Sequence, residues 1–525
     1  MEKITSLLLA ISMLFSSLGF NISLPNSPDN PQIPVVHVVG SGAKIVRRND
    51  DGIEETLYPP QIPEGYIEEA ANKIFPVFAE AFFSQNWDEF CDVLLDIIVP
   101  LFSPMALDKN GEPSDGSFAA WHWSRDSLRS KMRPDGTYGA TTFEFHYDWR
   151  LDPLDTAELL HLFIEDVMYV TGSDKVALYG RCLGSNVVAA YMYRYDGENV
   201  DEVIHYASSV YGATQCSKAF TGELCIHADG LNRFAYEIEY LGFPIDDVYI
   251  DLIQALITIL NDTYGLDVAA WAINNVLQDI YLDIFPEFMR SSYGTFPSYW
   301  SMVRLDDYNK AMETVFYGAD KSEYAGLINK VENYRNNVQI MFGQRSMEQH
   351  RRGIEFSNIV KYGFQSIPVT YESDKLSDGL VSVNESSFGA TTAETVNDTL
   401  SQDYLDIAMR NGMFKYISPD RQIDASTCLS PDTTWFIKNL YHMDFPETVN
   451  GLVSDIVNNK NFNINSNPEY PQYLVFDSEN GEIIPMDEEN YNTTDRWQGM
   501  TFTDAVKLII EFIKSLIEGN SVQFR

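Results

Sequence analysis

Lys175-Val176-Ala177-Leu178-Tyr179-Gly180-Arg181-Cys182-Leu183-Gly184-Ser185 is the stretch that decides how this 525-residue chain folds. Val176 to Tyr179 is apolar without alternation, the pattern of a strand buried on both faces. From Ser185 to Tyr193 the spacing is helical. Between the two stands Gly180-Arg181-Cys182-Leu183-Gly184. A tight strand-to-helix turn crowds the backbone two residues either side of its central residue, and both of those residues are glycine. The thiol of Cys182 then sits at a helix N-terminus, where the positive end of the dipole favours a thiolate. The N–H of Leu183 can point into an oxyanion hole. Cysteine stands where such a turn usually carries serine, and a thiol can form an acyl-enzyme with less help from a base. The competing reading is a degenerate turn in which Cys182 is only a small buried residue.

Toward the N-terminus, Pro34-Val35-Val36-His37-Val38-Val39 reads as another buried strand, closed by Gly40-Ser41-Gly42. The Ser41 N–H there is the candidate second oxyanion donor, and an ordinary glycine turn is the alternative. Ile67–Phe83 and Trp87–Leu101 have helical spacing, Thr141–Arg150 reads as a strand and its exit, and Thr156–Val170 as a helix. Val203–Ser209 follows as a further strand. Strand, helix and strand at these intervals predict a parallel sheet.

Toward the C-terminus the alternation is interrupted from about 216 to 345 by helical, aromatic-rich sequence, clearest at Leu252–Leu260 and Val268–Ile284. This is either a cap over the sheet edge or a plain packing layer. The strand pattern resumes at Ile367–Tyr371. A helix is expected from Glu447 to Val457, a hairpin at Tyr473–Phe476 and Ile483–Ile484, and an amphipathic helix at Thr503–Ile517. In a fold of this kind the nucleophile precedes the acid, and the acid precedes the histidine. Of the four histidines after Cys182 (His205, His227, His350 and His442), only His442 also follows Asp378, in Ser377-Asp378-Gly379-Leu380-Val381. Asp378 is therefore the candidate acid and His442 the candidate base, although Asp-Gly is also a common turn pair and Asp374 lies nearby.

Against 36 basic residues stand 76 acidic ones, a formal net charge of −40. Such a surface repels phosphate backbones, so nucleic-acid binding is not expected. With 45% hydrophobic and 21% charged residues the chain is globular in composition. Residues 1–20, with Lys3 ahead of an apolar run from Leu7 to Phe20, read as a signal peptide too short to span a bilayer, with an uncleaved anchor as the alternative. Five cysteines leave an odd thiol, and Cys216 with Cys225 are either a disulfide or two reduced thiols. No metal-ligand spacing, phosphate loop or dinucleotide motif is present, so no cofactor is expected. A cysteine peptidase gains nothing beyond the Cys–His pair.

Several of these segments resemble the lecithin:cholesterol acyltransferase-like and lysosomal phospholipase-like α/β-hydrolase family. They are Pro34–Gly40, the glycine-flanked turn at Cys182, Ser377–Val381, and Phe296-Pro297-Ser298-Tyr299-Trp300. The most specific is Tyr147-Asp148-Trp149-Arg150. The resemblance spans about residues 34 to 460 and departs from the family at the nucleophile. It implies an α/β-hydrolase fold with a mostly parallel central sheet and a helical cap. Residues 34–215 would form the first part of the core (with a helical insertion at about 60–135), 216–345 the cap and 346–460 the second part. A linker, 21–33, would precede them, and a hairpin-and-helix appendage, 461–525, would follow. It also implies an exported acyl hydrolase or O-acyltransferase working on lipid esters, phospholipids among them, with transient lipid-surface contact through the cap. Cys182, His442 and Asp378 would be nucleophile, base and acid, and Ser41 and Leu183 the oxyanion donors. The rival function is an extracellular binding protein that has lost catalysis.

Overall fold

The structure is a computed structural model that describes residues 33–49, 51–60, 66–84, 86–237, 247–491 and 500–518. The expected signal peptide and all of the linker except Ile33 lie outside the described residues. The central sheet has eight strands: β1 (Val35–Val38), β2 (Phe143–Phe145), β3 (Val176–Arg181), β4 (Val200–Tyr206), β5 (Glu355–Tyr362), β6 (Thr434–Lys438), β7 (Tyr473–Asp477) and β8 (Glu482–Pro485). Their order across the sheet is β8-β7-β6-β5-β4-β3-β1-β2. All neighbours run parallel except the β7–β8 hairpin. The protein is thus a mixed α/β fold on a mostly parallel sheet.

The unbroken apolar runs of the sequence become strands buried on both faces, as β1 and β3 are at every position. On one face α1 (Pro153–Thr171) and α2 (Leu183–Arg194) press Leu160, Phe163, Val187 and Val188 onto Val36, Val38 and Leu178. On the other, α3 (Glu447–Asn458) presses Val449, Leu452 and Ile456 onto Ala177, Tyr179 and Ile204. Each such side chain contributes about 1.5–3 kcal/mol when fully buried. The start of α1 is fixed by Asp152, whose carboxylate accepts the Leu154 N–H at 2.9 Å, with Pro153 in the first turn. Its end is fixed by Gly172, at φ 71°.

Two sequence expectations are corrected here. Ile367–Tyr371 is not a strand: Pro368 has no N–H to give, Val369 bonds back to Ile367, and Thr370 makes a single bridge to Leu224. The strand at this point in the chain is β5, further back. The C-terminal hairpin, expected as an appendage, is hydrogen-bonded into the sheet, β7 running parallel to β6 in the register Ile437–Leu474. Of the expected cap helices, Leu252–Leu260 lies within Asp247–Asp262 and Val268–Ile284 within Gly265–Arg290. The last helix, Phe502–Glu518, packs against Asp247–Asp262.

Candidate active site

β3 ends at Arg181, and α2 begins at Leu183, leaving Cys182 alone to make the turn. It does so at φ 50°, ψ −123°, a conformation that costs a non-glycine residue on the order of 1–3 kcal/mol. Its N–H donates to Tyr206 O at 3.0 Å and its carbonyl accepts from Ser185 N–H at 2.9 Å, so both ends are pinned. The flanking glycines are required by contact. A Cβ on Gly180 would lie 2.8 Å from Ser185 Cα. One on Gly184 would lie 2.7 Å from Val39 O and closer still to Val38 O.

Asp378 and His442 arrive from two loops at the same edge of the sheet. His442 Nδ1 is 2.7 Å from Asp378 Oδ2, and the His442 backbone N–H donates to the Asp378 carbonyl, also at 2.7 Å. The other carboxylate oxygen of Asp378 accepts the N–H groups of Leu380, at 3.0 Å, and Val381, at 2.8 Å. Asp378 is fully buried and therefore held in one orientation. Asp374 is exposed. With Nδ1 engaged by Asp378, His442 and Cys182 lie close enough that each shifts the protonation of the other.

Electrostatics follow from this arrangement. Burial pushes the Cys182 thiol up, but the His442 imidazole and the Leu183 N–H outweigh it and hold the thiol below its ordinary value. Burial lowers His442, but Asp378 and Cys182 outweigh it and push the imidazole up to about 9. Burial would also raise Asp378, yet His442 and Lys361 hold it below the usual carboxylate range. The arrangement favours thiolate beside imidazolium.

The turn after β1 reaches this site. A Cβ on Gly40 would be 3.4 Å from Cys182 Cβ and 4.0 Å from Leu183 N, so Ser41 lies beside the turn at Cys182. Ser41 is buried, and its hydroxyl has no partner among the described residues. The same holds for the hydroxyls of Tyr147, Ser298 and Tyr299. Tyr147 and Tyr299 both feel the charge on Cys182. Tyr147-Asp148-Trp149-Arg150 ties these pieces together. Arg150 grips Asp148 through two bonds of 2.9 and 2.6 Å, Trp149 Nε1 donates to Ala43 O at 2.9 Å, and the indole stacks on Tyr299 at 5.8 Å.

The remaining histidines after Cys182 lie elsewhere. His205 is buried among Phe342, Phe356 and Phe388, where desolvation lowers it to about 3. A cavity of about 20 Å³ beside it, room for one water, lies against Ala189 and Met192, about two helical turns from Cys182. His227 contacts Cys225 at 3.3 Å, and His350 is exposed in the last turn of the helix Phe342–Arg351. All five cysteines are free, so Cys216 and Cys225 are two separate thiols.

Sequence reasoning missed two features. One is Lys361, buried behind the His442 loop. The other is an ion-pair cluster that braces the Asp378 loop: Arg304 reaches Glu372 at 2.7 Å, Glu385 at 3.4 Å and Asp307 at 2.6 Å, and Lys218 reaches Glu372 at 3.1 Å. Charged residues on their own read as surface, and only the fold brings these together.

Fold and site define a mixed α/β protein whose sheet edge carries a carboxylate hydrogen-bonded to an imidazole, with a thiol in electrostatic reach of both. No family model matches the chain, and no curated protein matches it significantly. Among solved structures, one titled "The crystal structure of Tle4-Tli4 complex" is similar over 64% of this chain and 76% of that one, at 11% identity and a TM-score of 0.24. A likeness that slight carries no argument.

Proposed function

We propose that this chain is an exported α/β-hydrolase-fold enzyme, similar to the lecithin:cholesterol acyltransferase-like proteins, that transfers acyl groups from lipid esters through a thioester on Cys182. The observation that carries the reading is the 2.7 Å bond between His442 Nδ1 and Asp378 Oδ2, with Cys182 near enough that the imidazole holds its thiol below the ordinary value. In the forward step the Cys182 thiolate attacks the ester carbonyl carbon. The C–O bond breaks, and imidazolium His442 gives its proton to the departing alkoxide. Water or an acceptor alcohol then attacks the thioester, His442 takes its proton, and the acyl group leaves as acid or new ester. Asp378 fixes the imidazole and stabilises its charge. The N–H groups of Ser41 and Leu183 hold the oxyanion, each worth about 3–4 kcal/mol to the transition state.

Lipid-surface contact through the cap is supported by Tyr264, Val268 and Trp271, exposed by 76%, 63% and 68% at the start of the helix Gly265–Arg290. Val268 and Trp271, three apart, share one helical face, and Tyr264 is the residue just before the helix. A net charge of −40 favours an uncharged or zwitterionic surface. The test is turnover of short-chain aryl esters and of dispersed lipids by purified protein. Turnover well above that of Cys182→Ala supports the reading, whereas turnover equal to it would leave a binding protein on this fold.

A further inference from the structure

Lys361 is the next-to-last residue of β5, paired across the sheet with Ile437 of β6. Its side chain is fully buried, and among the described residues it faces no carboxylate within ion-pair distance. Instead its ammonium donates to three backbone carbonyls, Tyr441 O at 2.8 Å, His442 O at 2.6 Å and Asp444 O at 3.0 Å. An ammonium has three N–H donors and no acceptor, so donors and carbonyls match one to one. The loop they belong to leaves β6 through Asn439, at φ 63°, and carries His442. A second contact reaches the nucleophile. The Phe445 ring lies 4.3 Å from Lys361 Nζ and 3.9 Å from the guanidinium carbon of Arg181, the residue before Cys182. Arg181 is buried too, with one terminal nitrogen unpartnered among the described residues.

We propose that Lys361 is a positioning residue that sets His442 against Cys182, gripping the base-bearing loop by its carbonyls while Phe445 links that loop to Arg181 at the nucleophile turn. Burying an ammonium without a carboxylate is costly, so burial pushes Lys361 down to about 7, and an apolar side chain of similar volume would cost less. The compensation available here is order in the loop that carries the base. The charged and titratable groups around the ammonium are Asp378, Asp444, Arg181, Cys182 and the phenol of Tyr206. The proposal rests on the Cys182–His442 pairing put forward above. Its test reads thiol chemistry, and so stands apart from whether any ester is turned over.

The experiment measures alkylation of Cys182 by a small haloacetamide across pH 5 to 10 in the full chain, with Cys182→Ala as blank. In Lys361→Met the titration of the thiol is expected to move upward by about one unit or more, a tenfold loss of thiolate below it. Phe445→Leu, which keeps the ammonium, is expected to move it the same way by less, and gives the answer should Lys361→Met not fold. In a His442→Ala background Lys361→Met should add nothing, because its effect passes through the imidazole. A folded Lys361→Met or Phe445→Leu protein with unchanged titration would overturn the proposal. So would a shift of equal size with and without His442, which would mark a direct charge effect.

Discussion

His442 and Asp378 are 64 residues apart and joined twice, side chain to side chain and backbone N–H to backbone carbonyl, both at 2.7 Å. The double tie means that the carboxylate sets the imidazole's position as well as its tautomer. Asp378→Asn keeps an oxygen for the Leu380 and Val381 N–H groups, so the loop should remain folded. It cannot accept from Nδ1–H with a full charge. Turnover is expected to fall by about 10³–10⁴-fold with little change in unfolding midpoint, read by ester assay and thermal denaturation.

The imidazole's elevation has a sign that can be measured. His442 sits at about 9 in the fold against an ordinary 6.5. Its contribution to stability is therefore fully present below 6.5 and lost as pH rises through about 9. Cys182, held below its ordinary 9, contributes in the opposite sense: its share is present above 9 and lost as pH falls through its lowered value. Between those limits thiolate and imidazolium coexist. Ester turnover should hold a plateau across neutral pH and decline above about 9 as His442 loses the proton it gives to the leaving group. In His442→Gln the alkaline decline should disappear along with most of the rate.

Gly184 and Gly180 make the turn possible in unequal degree. A methyl at Gly184 meets two fixed carbonyl oxygens of β1 and its exit, whereas one at Gly180 meets Ser185 Cα at 2.8 Å. Gly184→Ala is expected to destabilise the protein by at least about 3 kcal/mol, the upper range for overpacking, and Gly180→Ala by less. Urea unfolding of the two variants checks the order.

Tyr147 and Tyr299 carry buried hydroxyls with no partner among the described residues. Removing an unsatisfied buried hydroxyl should leave stability unchanged or raise it by about 1–3 kcal/mol. If these groups serve the substrate, Tyr147→Phe and Tyr299→Phe will pair equal or higher unfolding midpoints with lower turnover. Unchanged turnover in both would assign them to packing alone.

The parts of this molecule that are legible in its sequence are those governed by local pattern. The apolar run of β3, the two glycines and the helical spacing of α2 follow directly from steric and hydrophobic rules acting within a dozen residues. The order of Cys182, Asp378 and His442 along the chain is equally visible. What was hidden is non-local. β5 escapes a search for apolar runs because Ser357, Asn358 and Lys361 interrupt it. Each bonds to a residue far along the chain: Ser357 to Glu202 at 2.9 Å, the Asn358 amide N–H to Ser386 O at 3.0 Å, and Lys361 to the carbonyls of the His442 loop. Ile367–Tyr371 imitates a strand through its β-branched residues, but Pro368 cannot join a ladder. The hairpin at the end was visible as a hairpin. Its union with β6 was not, since nothing in either segment encodes the partner.

Intact-mass spectrometry after brief exposure to an activated short-chain aryl ester tests the central claim most directly. The account predicts one added acyl mass per chain, located on Cys182, lost on treatment with hydroxylamine, absent from Cys182→Ala and strongly slowed in His442→Ala. A protein that gains no acyl mass, or gains it equally when residue 182 is alanine, would contradict it.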